Sequence, residues 1–86
     1  MKLYRIFTER KRTPEVTELV AGMFPGFSLF EGIGYWKGQQ ELFLCIEIIA
    51  SDIDAASIVH LASKIKKRNA QESVMIETLP VTVDFI

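Results

Sequence analysis

Residues 27–49 read FSLFEGIGYWKGQQELFLCIEII, a strand, a short turn and a returning strand. From Phe27 to Trp36 the side chains alternate: Phe27, Leu29, Ile33 and Tyr35 fall on one side of an extended chain, Phe30 and Trp36 on the other. That is the period of two that a strand imposes. Lys37, Gly38, Gln39 and Gln40 supply a short hairpin turn, and Leu42 to Ile49 is the returning strand. Glycine inside a strand marks a bulge or a close backbone approach, so Gly32 and Gly34 report strand geometry or the nearness of a neighbouring subunit or ligand. The glycines form no P-loop, because the spacing and the Lys-Ser/Thr pair are missing, and no dinucleotide fingerprint, because no helix follows.

Upstream, Leu3 to Thr8 has the β-branched and aromatic content of a first strand and ends in the polar run Glu9, Arg10, Lys11, Arg12. Thr13, Pro14 and Glu15 then start a helix, with a hydroxyl cap, a preset φ and a carboxylate in the positive first turn. Val16, Leu19, Val20 and Met23 make its apolar stripe, and Pro25 and Gly26 end it. Downstream, a second helix opens near Ser51 or Asp52 and buries Ile58, Leu61, Ala62 and Ile65. It closes on Lys64, Lys66, Lys67 and Arg68, where cations favour the negative helix end. Val74 to Leu79 is a fourth strand that Pro80 bends or ends, and Val81 to Ile86 alternates as an extended tail or edge strand. Strand, helix, two-stranded hairpin, helix, strand is the α+β, ferredoxin-like βαββαβ plan: an antiparallel sheet with two helices on one face.

Eighty-six residues allow one domain, spanning 1–86. A hydrophobic share of 49% with three prolines and five glycines is too apolar for disorder. Ten Lys+Arg against eleven Asp+Glu leave a formal charge of -1, which argues against a basic nucleic-acid coat or a polybasic membrane tether. A single cysteine, Cys45, forms no internal disulfide, and with the single histidine, His60, it builds no four-ligand zinc site. The N-terminus lacks a signal-peptide apolar region, and the longest apolar stretch stops at Glu47. The expectation is a soluble protein of a reducing cytoplasm, with no metal, no cofactor and no membrane partner.

The third strand carries the functional argument. Leu42, Leu44, Ile46 and Ile48 make one face, yet Phe43, Cys45 and Ile49 make the other apolar too, with only Glu47 polar. A sheet covered on one side shows polar residues on its wet side. Here the wet side would be sticky, which predicts a homo-oligomer packed through the open sheet face, or a tail strand covering part of it. Cys45 there reads as a small buried hydrophobe or, alternatively, a reactive thiol.

Following the chain through this topology brings the loop Glu9–Thr13, the hairpin Trp36–Glu41 and the connection Lys66–Glu72 to one end of the sheet. Eight of the ten cations lie in or beside those segments, while Asp52 and Asp54 mark the other end. Cations, free amides at a helix start and a flat ring are the parts that hold a phosphate and stack a base. The candidate ligand-binding residues are Arg10, Lys11, Arg12, Thr13, Tyr35, Trp36, Lys37, Lys67 and Arg68. The same cations also fit an ordinary helix end and a solvated loop, and Trp36 also fits packing on an oligomer face.

The residues GYWKG at Gly34–Gly38, the strand Glu41–Ile49, the Lys-rich second helix end and Gln71, Glu72, Ser73, Val74 resemble a group of small uncharacterised bacterial and phage proteins. More remotely, EGIGYWKG followed by an apolar strand, helix and strand is similar to the corresponding part of PII signalling proteins and CutA, ferredoxin-like trimers. The PII resemblance implies a nucleotide pocket between subunits; the long loop that PII proteins use for partner regulation is here only Lys37 to Gln40. The phage resemblance implies sequestration of a nucleotide signal of host defence, or direct inhibition of a defence protein.

Catalysis is poorly supported, since His60 lies off the apolar stripe of its helix and no nucleophile has a base in evident reach. The arginine-bearing glycine loop of acylphosphatases and the aromatic consensus of RNA-recognition domains, which share the fold, are both absent. The leading expectation is a non-enzymatic oligomer that binds a phosphorylated, nucleotide-like small molecule; a protein-interaction module or a nucleic-acid binder is the alternative.

Overall fold

The structure, a computed structural model, describes residues 1–86. Its elements are β1 (Lys2–Glu9), α1 (Thr13–Ala21), β2 (Ser28–Trp36), β3 (Gln39–Ala50), a 3-10 turn (Asp52–Asp54), α2 (Ala55–Arg68) and β4 (Met75–Pro80). The strands lie in the order β2-β3-β1-β4, every neighbouring pair antiparallel, so β1 is central and β2 and β4 are the edges. This is the ferredoxin-like arrangement, with both helices on one face.

The alternation within each strand becomes a two-sided sheet. Tyr4 and Ile6 of β1 and Leu44, Ile46 and Ile48 of β3 face the helices, where they meet Val16 and Val20 of α1 and Ile58, Leu61 and Ile65 of α2. Each such aliphatic side chain withdrawn from water stabilises the fold by about 1.5–3 kcal/mol before entropy is counted. The edges of this core are closed by Phe24 and by the half-buried Leu29 and Ile76.

Three local expectations need correction. The hairpin turn is two residues, Lys37 and Gly38 at φ 51° and 77°, so Gln39 to Glu41 already belong to β3. Positive φ at both central positions is the type I′ geometry that matches strand twist, and it favours glycine. Thr13 is the first helical residue, not the cap: Arg12 holds that position in the left-handed region at φ 53°, and no side chain caps the helix. The Thr13 carbonyl instead accepts from Thr17 Oγ1 at 2.7 Å. α2 begins only at Ala55, because Asp54 turns back to accept from Ser51 N and Ser51 Oγ, both at 3.1 Å, and tightens the entry into a 3-10 turn. Pro80 ends β4 opposite Lys2, as expected, and of the two readings of Val81 to Ile86 the edge strand does not form.

Candidate functional site: the open sheet face and its rim

The register fixes which residues face away from the helices. Leu3, Arg5 and Phe7 of β1 align with Ile49, Glu47 and Cys45 of β3 on one side and with Leu79, Glu77 and Met75 of β4 on the other. Phe30 and Gly32 of β2 stand opposite Cys45 and Phe43. The result is an apolar surface with one ionic cluster at its centre. Arg5 Nε donates to Glu47 Oε2 at 2.7 Å, and Arg5 Nη1 lies 3.7 Å from Glu77 Oε1. The hydrogen bond to Glu47, with the charges of Glu47 and Glu77, raises the Arg5 pKa further above its ordinary value against the opposing effect of burial.

Around this cluster Phe30, Ile49, Met75 and Leu79 keep 52%, 49%, 54% and 38% of their surface in water. Phe43 packs edge-on against Phe7, ring centroids 5.6 Å apart, and its tip lies over Gly32, where an added Cβ would come within 2.4 Å of Phe43 Cζ. The close approach signalled by that glycine is therefore to a ring of its own chain. Cys45 is buried beneath this surface; burial first, then the nearby Glu47 charge, push its thiol pKa up. An elevated thiol pKa removes the thiolate that a reactive cysteine needs.

At the end where β1 finishes, the three turns converge. Arg10 N donates to Leu42 O at 3.3 Å, and Arg12 Nη1 donates to Arg68 O at 3.2 Å. Gln71 Oε1 accepts from Thr8 Oγ1 and, at 3.2 Å, from Asn69 Nδ2, which ties the α2–β4 connection to β1. The nine candidate residues are not gathered equally. Arg12 and Arg68 adjoin, and Lys37 Nζ stands 5.8 Å from the Trp36 ring centroid. Arg10 is engaged by Glu31 at 2.9 Å and Lys11 by Glu9 at 2.9 Å. Tyr35 and Trp36, successive residues of β2, point to opposite faces, and the Tyr35 hydroxyl lies 3.3 Å from Gln40 Oε1. Thr13 is half-buried at the start of α1, and Lys67 is exposed on the last turn of α2.

A cleft of about 790 Å³ opens at this rim between the β2–β3 hairpin and the α2–β4 connection. Phe7, Phe43, Met75 and Trp36 give it an apolar wall, and Glu9, Glu41 and Glu72 line it as well. These carboxylates were missed because the polar run and the hairpin attract attention for their cations. Glu41 opposite Gly34 was the available signal once the turn is shortened to two residues. The opposite end is also less one-sided than expected: Lys2 Nζ reaches Asp52 Oδ1 at 3.9 Å. His60 is exposed on α2.

No protein-family model matches the chain, and no curated protein does. Among solved structures, a DUF3240 family protein from Shewanella baltica aligns with a TM-score of 0.80 over 99% of this chain and 93% of that one, at 14% sequence identity. At that identity the likeness shows the shared fold alone. No helix is long and apolar enough to cross a membrane.

Proposed function

We propose that this chain works by binding and not by catalysis, as an oligomer whose copies pack through the open sheet face and whose rim holds a phosphorylated, nucleotide-like small molecule. The observation that carries the reading is the face itself. Phe30, Ile49, Met75 and Leu79 surround an Arg5 that is paired with Glu47 at 2.7 Å and lies 3.7 Å from Glu77. Burying the wet half of each of those four side chains would contribute about 1 kcal/mol. The Arg5–Glu47 pair can enter an interface as a neutral unit, whereas Glu77 leaves the cluster one negative charge in surplus and must stay in contact with water or meet a cation of the neighbouring copy.

The ligand part rests on four cations. Arg12, Lys37, Lys67 and Arg68 form no ion pair with a carboxylate, in contrast to Arg10 and Lys11. Arg12 and Arg68 adjoin at the uncapped start of α1, while Lys37 and Trp36 adjoin at the hairpin, with the Trp36 ring on the side of the sheet away from the helices. The remote likeness to PII proteins favours a pocket completed by a neighbouring copy.

Native mass spectrometry of the chain purified from the cells that make it tests both parts at once. A defined multiple of 9.8 kDa carrying a phosphorylated small molecule is the expected result. Arg12→Ala with Arg68→Ala should release the ligand while leaving the subunit number unchanged. A bare monomer would sink the reading.

A further inference from the structure

The sheet has two free edges, and they differ. β4 is six residues long and ends in Pro80. β2 runs nine residues, Ser28–Trp36, with no proline, lysine or arginine and with an unbroken, bulge-free register against β3. Its single charge, Glu31, is held by Arg10 at 2.9 Å. Sheet edges are ordinarily guarded against pairing by short length, proline, lysine or a bulge. β2 has none of these, and its Ile33 and Tyr35 are exposed.

Beyond the opposite edge the chain continues as VTVDFI, Val81–Ile86, with the alternation of a strand but no strand partner. Its one backbone hydrogen bond runs from Val81 N to Met1 O, at 3.2 Å. Phe85 is 97% exposed and Ile86 wholly so. We propose that residues 81–86 of one copy add as a fifth strand to the β2 edge of a neighbouring copy.

Reach decides whose edge is lined. Strands lie about 4.8 Å apart, so crossing from β4 to the outer side of its own β2 spans roughly 19 Å. Six extended residues cover about 20 Å and would have none left to pair. Folding back on the outer side of β4 fares little better. The Val81–Met1 bond keeps the chain running straight beside β1, and a two-residue turn would leave only three of residues 81–86 to pair. Another copy's β2 has no such limit. The proposal rests on the oligomeric reading above.

Cysteine pairing between two differently labelled preparations tests it, in a Cys45→Ala background. One preparation carries Phe85→Cys, and the other carries a cysteine in place of Phe30, Ile33 or Tyr35 in turn, or of His60 as a control on α2. Disulfides joining a labelled to an unlabelled chain are expected for at least one β2 position and not for the control. Independently, Val83→Pro with Phe85→Pro should cut hydrogen-exchange protection of the β2 amides by tenfold or more. Predominant β2–β2 disulfides, or unchanged β2 protection in the proline variant, would overturn the tail assignment while leaving an oligomer intact. A monomeric parent protein would instead overturn the oligomeric reading and this one with it.

Discussion

Replacing Gly32 by alanine places a Cβ where the Phe43 ring already lies, 2.4 Å from Cζ and 2.8 Å from Cε2. The ring can yield only by giving up its contact with Phe7. Overpacking of this kind costs about 1–3 kcal/mol, of which roughly 0.5–1 kcal/mol is returned by the lower chain entropy of alanine in a strand. Gly34, two residues along the same face, is the matched control: its Cβ would sit 3.7 Å from Phe43 Cδ2, an ordinary contact, and only the entropic gain remains. The two alanine variants should therefore differ by about 2 kcal/mol, a separation of roughly 8–16 °C in melting temperature for a domain this small. Thermal melts at one fixed protein concentration make the comparison, since association shifts apparent stability. Phe43→Leu removes the obstructing ring, so the cost of Gly32→Ala should vanish in that background, a coupling of at least about 1 kcal/mol. Equal melting temperatures for the two glycine variants, or no coupling to Phe43, would refute the close-approach explanation of Gly32.

Two further predictions concern ionisation. The Tyr4 hydroxyl donates to Ser51 O at 3.0 Å, and burial first, then Asp52 and Asp54, raise its pKa above the ordinary value. The native state thus keeps a proton that the unfolded chain releases, so this contribution to stability is complete below about pH 10 and declines as pH rises through the native ionisation. In urea titrations across that alkaline range, Tyr4→Phe should lose stability less steeply than the parent, and parallel curves would contradict this. Cys45, with its raised thiol pKa beneath the open face, should be silent towards an aromatic disulfide reagent at neutral pH and yield one thiol equivalent in urea. Rapid reaction of the native protein would show the thiol to be active.

The order of elements and both faces of β3 are legible in sequence because alternation is a local property: Leu44, Ile46 and Ile48 declare one side, Phe43, Cys45 and Ile49 the other. What escaped is whatever depends on register or on backbone at single residues. Gln39, Gln40 and Glu41 look like turn residues by composition, yet pairing with Trp36, Tyr35 and Gly34 makes them strand. Thr13 looks like a cap, but the left-handed Arg12 takes that place. The rim could be assembled from topology, whereas the pairing of Arg10 with Glu31 and Lys11 with Glu9, and the three carboxylates of the cleft, appear only when side chains from separate segments are set side by side. The ionic cluster of Arg5, Glu47 and Glu77 is of the same kind, drawn from three strands, two of which are distant in sequence from the first.

In the proposed assembly the open sheet face is covered by another copy of the chain. Sedimentation velocity of the parent protein beside Phe30→Glu, a change at a residue half in water within a single chain, probes that contact. A covered face gives a defined multiple of 9.8 kDa for the parent and a folded 9.8 kDa species for the variant, with unchanged far-ultraviolet circular dichroism. A parent protein that sediments as a 9.8 kDa monomer at micromolar concentration, or a variant that assembles as the parent does, would contradict it.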